Sequence, residues 1–308
     1  MAADEAHRAD MMRGHKSLRS EGLTPEVRVL FWGVLGLALI IGLVLFFLPA
    51  ETAVYGPWVF LSPRSALLIS AAYIGAASYY ILVLRYNDWT QTEGGMGGLV
   101  VYSLVLIAAM MLHWDKFRPY HLATILYFVF YYAGVFLVPI FTRLQNERLG
   151  APARDRAADQ VGVGAVGEAE GEIVKATRIA PGWRAWLLAR GVVYLLLALL
   201  GFVFAEWLSS AWPWPVLPLE LRVFMGQLAI LGWGAAVIII YGPFWRRLRL
   251  GLILGGVFGL VQLLSLLIGP TPYNLASPVA IMLPLIFAEW LLTPLVLLYL
   301  YRRNKPIS

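Results

Sequence analysis

The chain has 308 residues, 60% of them hydrophobic and only 14% charged, with a mean hydropathy of +0.73 and a formal net charge of +6. Soluble domains carry about 25% charged residues, so this composition excludes an ordinary soluble fold and points to an integral membrane protein. Cysteine is absent, which excludes disulfide bracing, thiolate catalysis and cysteine-ligated metal; basic loops of a membrane protein account for the positive balance without nucleic acid as a partner.

Residues 1–27 form a polar tail of mixed charge. Leu30 to Leu48 then run without a charge, long enough to cross a hydrocarbon core of about 30 Å at about 1.5 Å per residue. Ala50 and Ala53 would suit a leader-peptide cleavage site, but the long charged leader and long apolar run argue for a retained helix. Seven more apolar runs follow: Ser65 to Leu84, Met96 to Leu112, Leu122 to Phe141, Trp186 to Phe204, Val223 to Ile240, Leu250 to Ile268 and Val279 to Tyr301. Each far exceeds a barrel strand of about ten residues, so the expected fold is all-α, a polytopic bundle of eight transmembrane helices.

Pro57 and Trp58 recur as Pro213 and Trp214, Leu61 as Leu217 and Trp89 as Trp245, all at an offset of 156 residues. That self-similarity reads as a tandem 4+4 parallel repeat, with a first half over 28–142 and a second over 183–303. Between them, 143–182 is polar and holds Gly162, Gly164, Gly167 and Gly171, the composition of a flexible linker; 304–308 is a short tail. The amino tail, the turns after the even-numbered spans and the carboxyl tail hold nineteen of the 24 Lys and Arg residues. The positive-inside rule therefore places both termini in the cytoplasm of a bacterial-type inner membrane, with the bilayer itself as the first partner.

Two charges lie within spans. Glu289 is flanked by Pro284 and Pro294, five residues to either side, an arrangement expected to kink the eighth helix and free carbonyls beside the carboxylate. Arg190 lies inside the fifth span. Their counterparts in the first half are Gly134 and Val34, so only the second half carries intramembrane charge. Such groups are costly in lipid and default to a functional hypothesis. By helix rise Arg190 and Glu289 are expected about 9 Å and about 18 Å from one membrane face, so a direct pair needs an extended Arg and some tilt. Gln262 in the seventh span is a further binding or coupling candidate, and Gly251, Gly255 and Gly259 offer a small-residue face for packing or for a homodimer.

His113, Asp115 and His121 share one loop, but their spacing matches no metal motif, and no sequence motif for a cofactor, phosphate or nucleophile is present. Trp58-Val-Phe-Leu-Ser-Pro63, Trp214-Pro-Val-Leu-Pro218, His113-Trp-Asp-Lys-Phe117 and Asn274-Leu-Ala-Ser-Pro278 resemble segments of a group of bacterial multi-pass membrane proteins with tandem four-helix halves and no known activity. The resemblance implies the architecture and no chemistry. Three functions stay open: a transporter or permease for a small solute, a non-enzymatic membrane subunit or scaffold, or a membrane enzyme acting on lipid or isoprenoid substrates. A transporter needs Glu289, Arg190 and Gln262 to meet at a wet cavity. A subunit needs a dry bundle with an exposed glycine face, and an enzyme needs His113, Asp115, His121 or the cytoplasmic Arg residues around a lateral cleft.

Overall fold

The computed structural model describes residues 22–149 and 178–303. Most of the polar tail, the centre of the linker and the last five residues lie outside that range. Among the described residues eight helices are long and apolar enough to cross a membrane: α1 (Pro25–Phe47), α2 (Pro63–Tyr86), α3 (Trp89–Leu112), α4 (Leu122–Leu149), α5 (Pro181–Val203), α6 (Pro218–Tyr241), α7 (Trp245–Ile268) and α8 (Met282–Arg303). The chain is a multi-pass membrane protein with an all-helical transmembrane bundle. Short helical turns at Thr52–Tyr55 and Ala205–Ala211 follow α1 and α5.

Four of the long helices, α1, α2, α5 and α6, open on proline. A first-turn proline has no N–H to leave unpaired and its fixed φ suits the helix start. α2 stops at Asn87, which takes the left-handed conformation at φ 48°, and α6 stops at Gly242 with φ 82°. These tight stops let α3 and α7 begin within three residues.

α2 and α6 form the centre, each 67% buried over its most apolar stretch, against 22% for α4 and α5. α2 packs along α7 and α3 along α6, while α3 and α7 also meet. The other four lie outside this ring: α1 on α2, α5 on α6, α4 on α3 and α8 on α7. Without a hydrophobic force between helices in lipid, close approach needs small residues. Gly191 and Gly232 supply it between α5 and α6, where a Cβ on either would stand 3.0 Å or less from the other's carbonyl.

α1 and α5 each have 23 residues and begin 156 apart; α3 and α7 each have 24 and begin 156 apart. Arg118 N–H donates to the Pro57 carbonyl at 3.1 Å, and Asn274 N–H to that of Pro213 at 2.8 Å, both residues of the second bond lying 156 after those of the first.

Helix limits depart from the apolar runs in consistent ways. α3 begins at Trp89 rather than Met96, because Gln91, Thr92 and Glu93 find partners at the bundle end and need not be loop. α4 continues seven residues past the expected start of the linker at Arg143. An Arg143–Glu147 pair one turn apart supports it, and Gln145, fully buried, ties it to the chain before α1 by accepting from Thr24 N–H at 2.9 Å and donating to the Gly22 carbonyl at 3.0 Å. Pro284 is a correction: α8 starts at Met282, so Pro284 sits in the first turn, where its missing donor costs nothing. Only Pro294 interrupts the helix interior.

Candidate functional site

Two ends of the bundle can be told apart by chemistry. The tryptophan-loop end carries Trp58 and Trp214; the basic end carries the α2–α3 and α6–α7 turns with Arg85, Arg246, Arg247 and Arg249.

Between them, Arg190 of α5 and Glu289 of α8 pair directly, Nε to Oε1 at 2.7 Å. Arg190 lies about 14 Å along α5 and Glu289 about 21 Å from the end of α8, so the guanidinium reaches across some 7 Å of height. Two further donors complete the carboxylate. Thr293 Oγ1, one turn on in α8, donates to Oε1 at 2.7 Å, and the Tyr194 hydroxyl donates to Oε2. The guanidinium also lies over the Tyr194 ring, 4.9 Å from its centre. Arg190 is 8% exposed and Glu289 24%. An ionised carboxylate in lipid is tolerable only with such a set of donors. Tyr194 and Thr293 escaped the sequence reading; their signal was spacing, since each stands four residues after one member of the pair.

Arg190 has a second surface. It lines a cavity of about 70 Å³ bounded by α3, α6 and α7, together with Arg247, Gln91, Gly98, Gly251 and Gly255. That space has room for several waters, given the 10–15 Å³ or so that one needs. Gln91 is buried, and its Oε1 has no hydrogen-bond partner. Arg247 is held by Glu93 at 3.4 Å, and beside it Arg246 pairs with the buried Asp88 at 2.5 Å, which ties the two turns of the basic end.

Gln262 does not join this group and Glu289 does not line the cavity, so the three do not meet at one wet cavity, as a transporter was expected to need; Arg190 alone reaches it. Gln262 Nε2 donates to Gln227 Oε1 at 2.7 Å and to the Leu68 carbonyl at 3.0 Å, in the buried centre of α2, α6 and α7. The three glycines separate as well. A Cβ on Gly259 would come within 2.6 Å of α8 backbone, one on Gly255 within 3.2 Å of Leu231 in α6, and one on Gly251 would meet nothing within 4 Å, since that position opens on the cavity. Gly255 and Gly259 are thus used inside the chain.

The tryptophan-loop end holds buried charges that the sequence analysis did not single out. Arg64, 4% exposed, caps α7: its Nη1 donates to the Leu266 carbonyl at 2.7 Å, Nη2 to Gly269 at 2.6 Å and Nε to Thr271 at 3.1 Å. Leu61 and Leu217, the two residues of the 156-residue ruler, donate their N–H groups to the two oxygens of one carboxylate, Glu220, at 2.7 and 3.2 Å. Arg222 binds the Phe202 carbonyl at 3.1 Å, Glu206 at 3.1 Å and His113. His121 contacts the Val54 carbonyl and Asp115 pairs with Lys116, so the three loop residues do not converge. Among the described residues no three His, Asp or Glu side chains gather to hold a metal. Comparison with protein families, with curated proteins and with solved structures found no match.

Proposed function

We propose that this membrane protein is a transporter-like carrier of a small anionic solute. The observation that carries the reading is the double role of Arg190, which lines the cavity between α3, α6 and α7 while holding Glu289 on the proline-interrupted α8. An anion entering the cavity competes with Glu289 for the guanidinium. Releasing Glu289 loosens α8 from α5, two helices joined at mid-height through this pair, so binding and helix movement share one group. Arg247 adds a second positive charge to the wall and the Gln91 amide adds polarity. In this reading the two four-helix halves are tandem copies of like orientation, supported by the matched helix lengths and the matched Arg118–Pro57 and Asn274–Pro213 bonds, and the basic end faces the cytoplasm.

The test is a thermal-shift screen of the purified full-length protein against inorganic phosphate, sulfate and small mono- and dicarboxylates, followed by uptake of any stabilising anion into proteoliposomes. Stabilisation by an anion, abolished by Arg247→Gln, is expected; the absence of any anion-dependent shift overturns the reading. A second reading, a non-enzymatic subunit, is favoured by the Gln262–Gln227–Leu68 set, which closes the centre of the bundle without a passage. It predicts partner proteins co-purifying in mild detergent and no uptake.

A further inference from the structure

The first half lacks the ion pair, and at the same place it is hollow. Val34 and Gly134, which stand where Arg190 and Glu289 do at offsets of 156 and 155, both line a cavity of about 220 Å³ between α1, α2, α3 and α4. A second space of about 90 Å³ shares Tyr73, Leu126, Phe130 and Tyr131 with it and continues to Trp58 at the tryptophan-loop end. Wall residues such as Val129, 61% exposed, open it sideways to the bilayer.

Its floor is polar in one layer. The Tyr73 and Tyr131 hydroxyls bond to each other at 2.6 Å and the Tyr102 hydroxyl lies beside Tyr131, so even a chain of the three would leave one proton without an acceptor. The buried Tyr102 hydroxyl has no partner, and Ser103, its neighbour, points its Oγ to within 2.6 Å of where a Gly134 Cβ would stand. Tyr73, Tyr131, Tyr102 and Ser103 all lie about 14–15 Å along their helices from the tryptophan-loop end, near the middle of a hydrocarbon core of about 30 Å. A phospholipid's ester carbonyls stay at the interface and do not reach that depth. Buried donors there call for an acceptor carried by an otherwise apolar molecule. The cavity exceeds the roughly 150 Å³ that accommodates benzene, and Phe31, Tyr80 and Phe130 provide aromatic walls for a flat ring.

We propose that this cavity binds the ring of a membrane-soluble quinone, entering between α1 and α4, with a ring carbonyl accepting from Tyr102 and from the Tyr73–Tyr131 pair and the isoprenoid tail lying in the lateral opening. The site is independent of the carrier reading, since it shares no residue with the Arg190 cavity except Leu99 at the common wall.

Binding of decylubiquinone to the purified full-length protein in nanodiscs tests it. Saturable binding is expected at one ring per chain. Tyr102→Phe, which keeps the ring and removes the donor, is expected to weaken it about tenfold. Val34→Phe, which fills the cavity from α1, is expected to abolish it, and Val29→Phe, on the exposed face of the same helix, to leave it unchanged. Three results would overturn the proposal: no saturable binding, affinity unaltered by both Tyr102→Phe and Val34→Phe, or equal retention of palmitate and dodecane in competition, which would mean that hydrocarbon alone fills the site.

Discussion

Arg190 Nε and Glu289 Oε1 stand 2.7 Å apart across the gap between α5 and α8, and with the Tyr194–Trp290 ring contact they join two helices whose main packing is on different neighbours. Removing one partner strands a charge in a low-dielectric site, at a cost of about 3–5 kcal/mol, whereas replacing both by apolar residues of similar volume is often neutral or stabilising. Glu289→Leu alone and Arg190→Met alone are therefore expected to lower the unfolding midpoint in detergent sharply, and the double variant to recover most of the loss. Additive losses in the double variant would show that the two side chains act separately. The anion response expected of the carrier should vanish in the stable double variant.

Two glycines of α7 should respond oppositely to the same change. Gly259→Ala drives a Cβ to 2.6 Å from the Leu291 nitrogen and the Phe287 carbonyl oxygen, backbone atoms of α8 that cannot turn aside. The helices must separate, at a cost of about 1–3 kcal/mol typical of overpacking. Gly251→Ala meets nothing and gains about 0.5–1 kcal/mol from helix propensity. Chemical denaturation of the two variants beside the unaltered protein measures both signs.

Their shared four-residue spacing made these glycines look alike in the sequence. What separates them is position along the crossing with α6 and α8, which spacing does not encode. The eight spans, by contrast, were legible because long uncharged runs leave helices as the only open solution in lipid. The pair of Arg190 and Glu289 was legible as two lone charges, but not its completion by Tyr194 and Thr293, polar residues ordinary enough in a span to pass unnoticed. Arg64, Glu220 and Arg222 were hidden for another reason. They stand just after a loop, where charge normally means solvent, and only the packing of the α2 and α6 starts against neighbouring helices and loops buries them.

Arg64 provides a direct test of that packing. Its planar fork reaches carbonyls of Leu266, Gly269 and Thr271 at once, which an ammonium cannot match. Arg64→Lys keeps the charge but leaves carbonyls at the end of α7 unpaired, so a loss of about 1.5–3 kcal/mol is expected, the scale of charge-assisted bonds. Proteolysis of the segment 269–279 should accelerate in the variant and not in Lys116→Arg, an exposed control.

His113, at the end of α3 and outside the span, should give the protein an acid-sensitive term. Burial first, and then the neighbouring Arg222 guanidinium, hold its pKa below the ordinary histidine value, against the weaker opposing pull of Glu206 and Asp115. A lowered folded pKa means that the unfolded chain binds the extra proton first. The stability that neutral His113 confers is present above the unfolded value of about 6.5 and is lost as pH falls through the folded one. Protonation would set imidazolium against the Arg222 guanidinium that it contacts. Unfolding midpoints measured from pH 7.5 down to 5 should therefore fall more steeply for the unaltered protein than for His113→Gln, which cannot take the proton. Parallel curves for the two would mean that other groups carry the acid response.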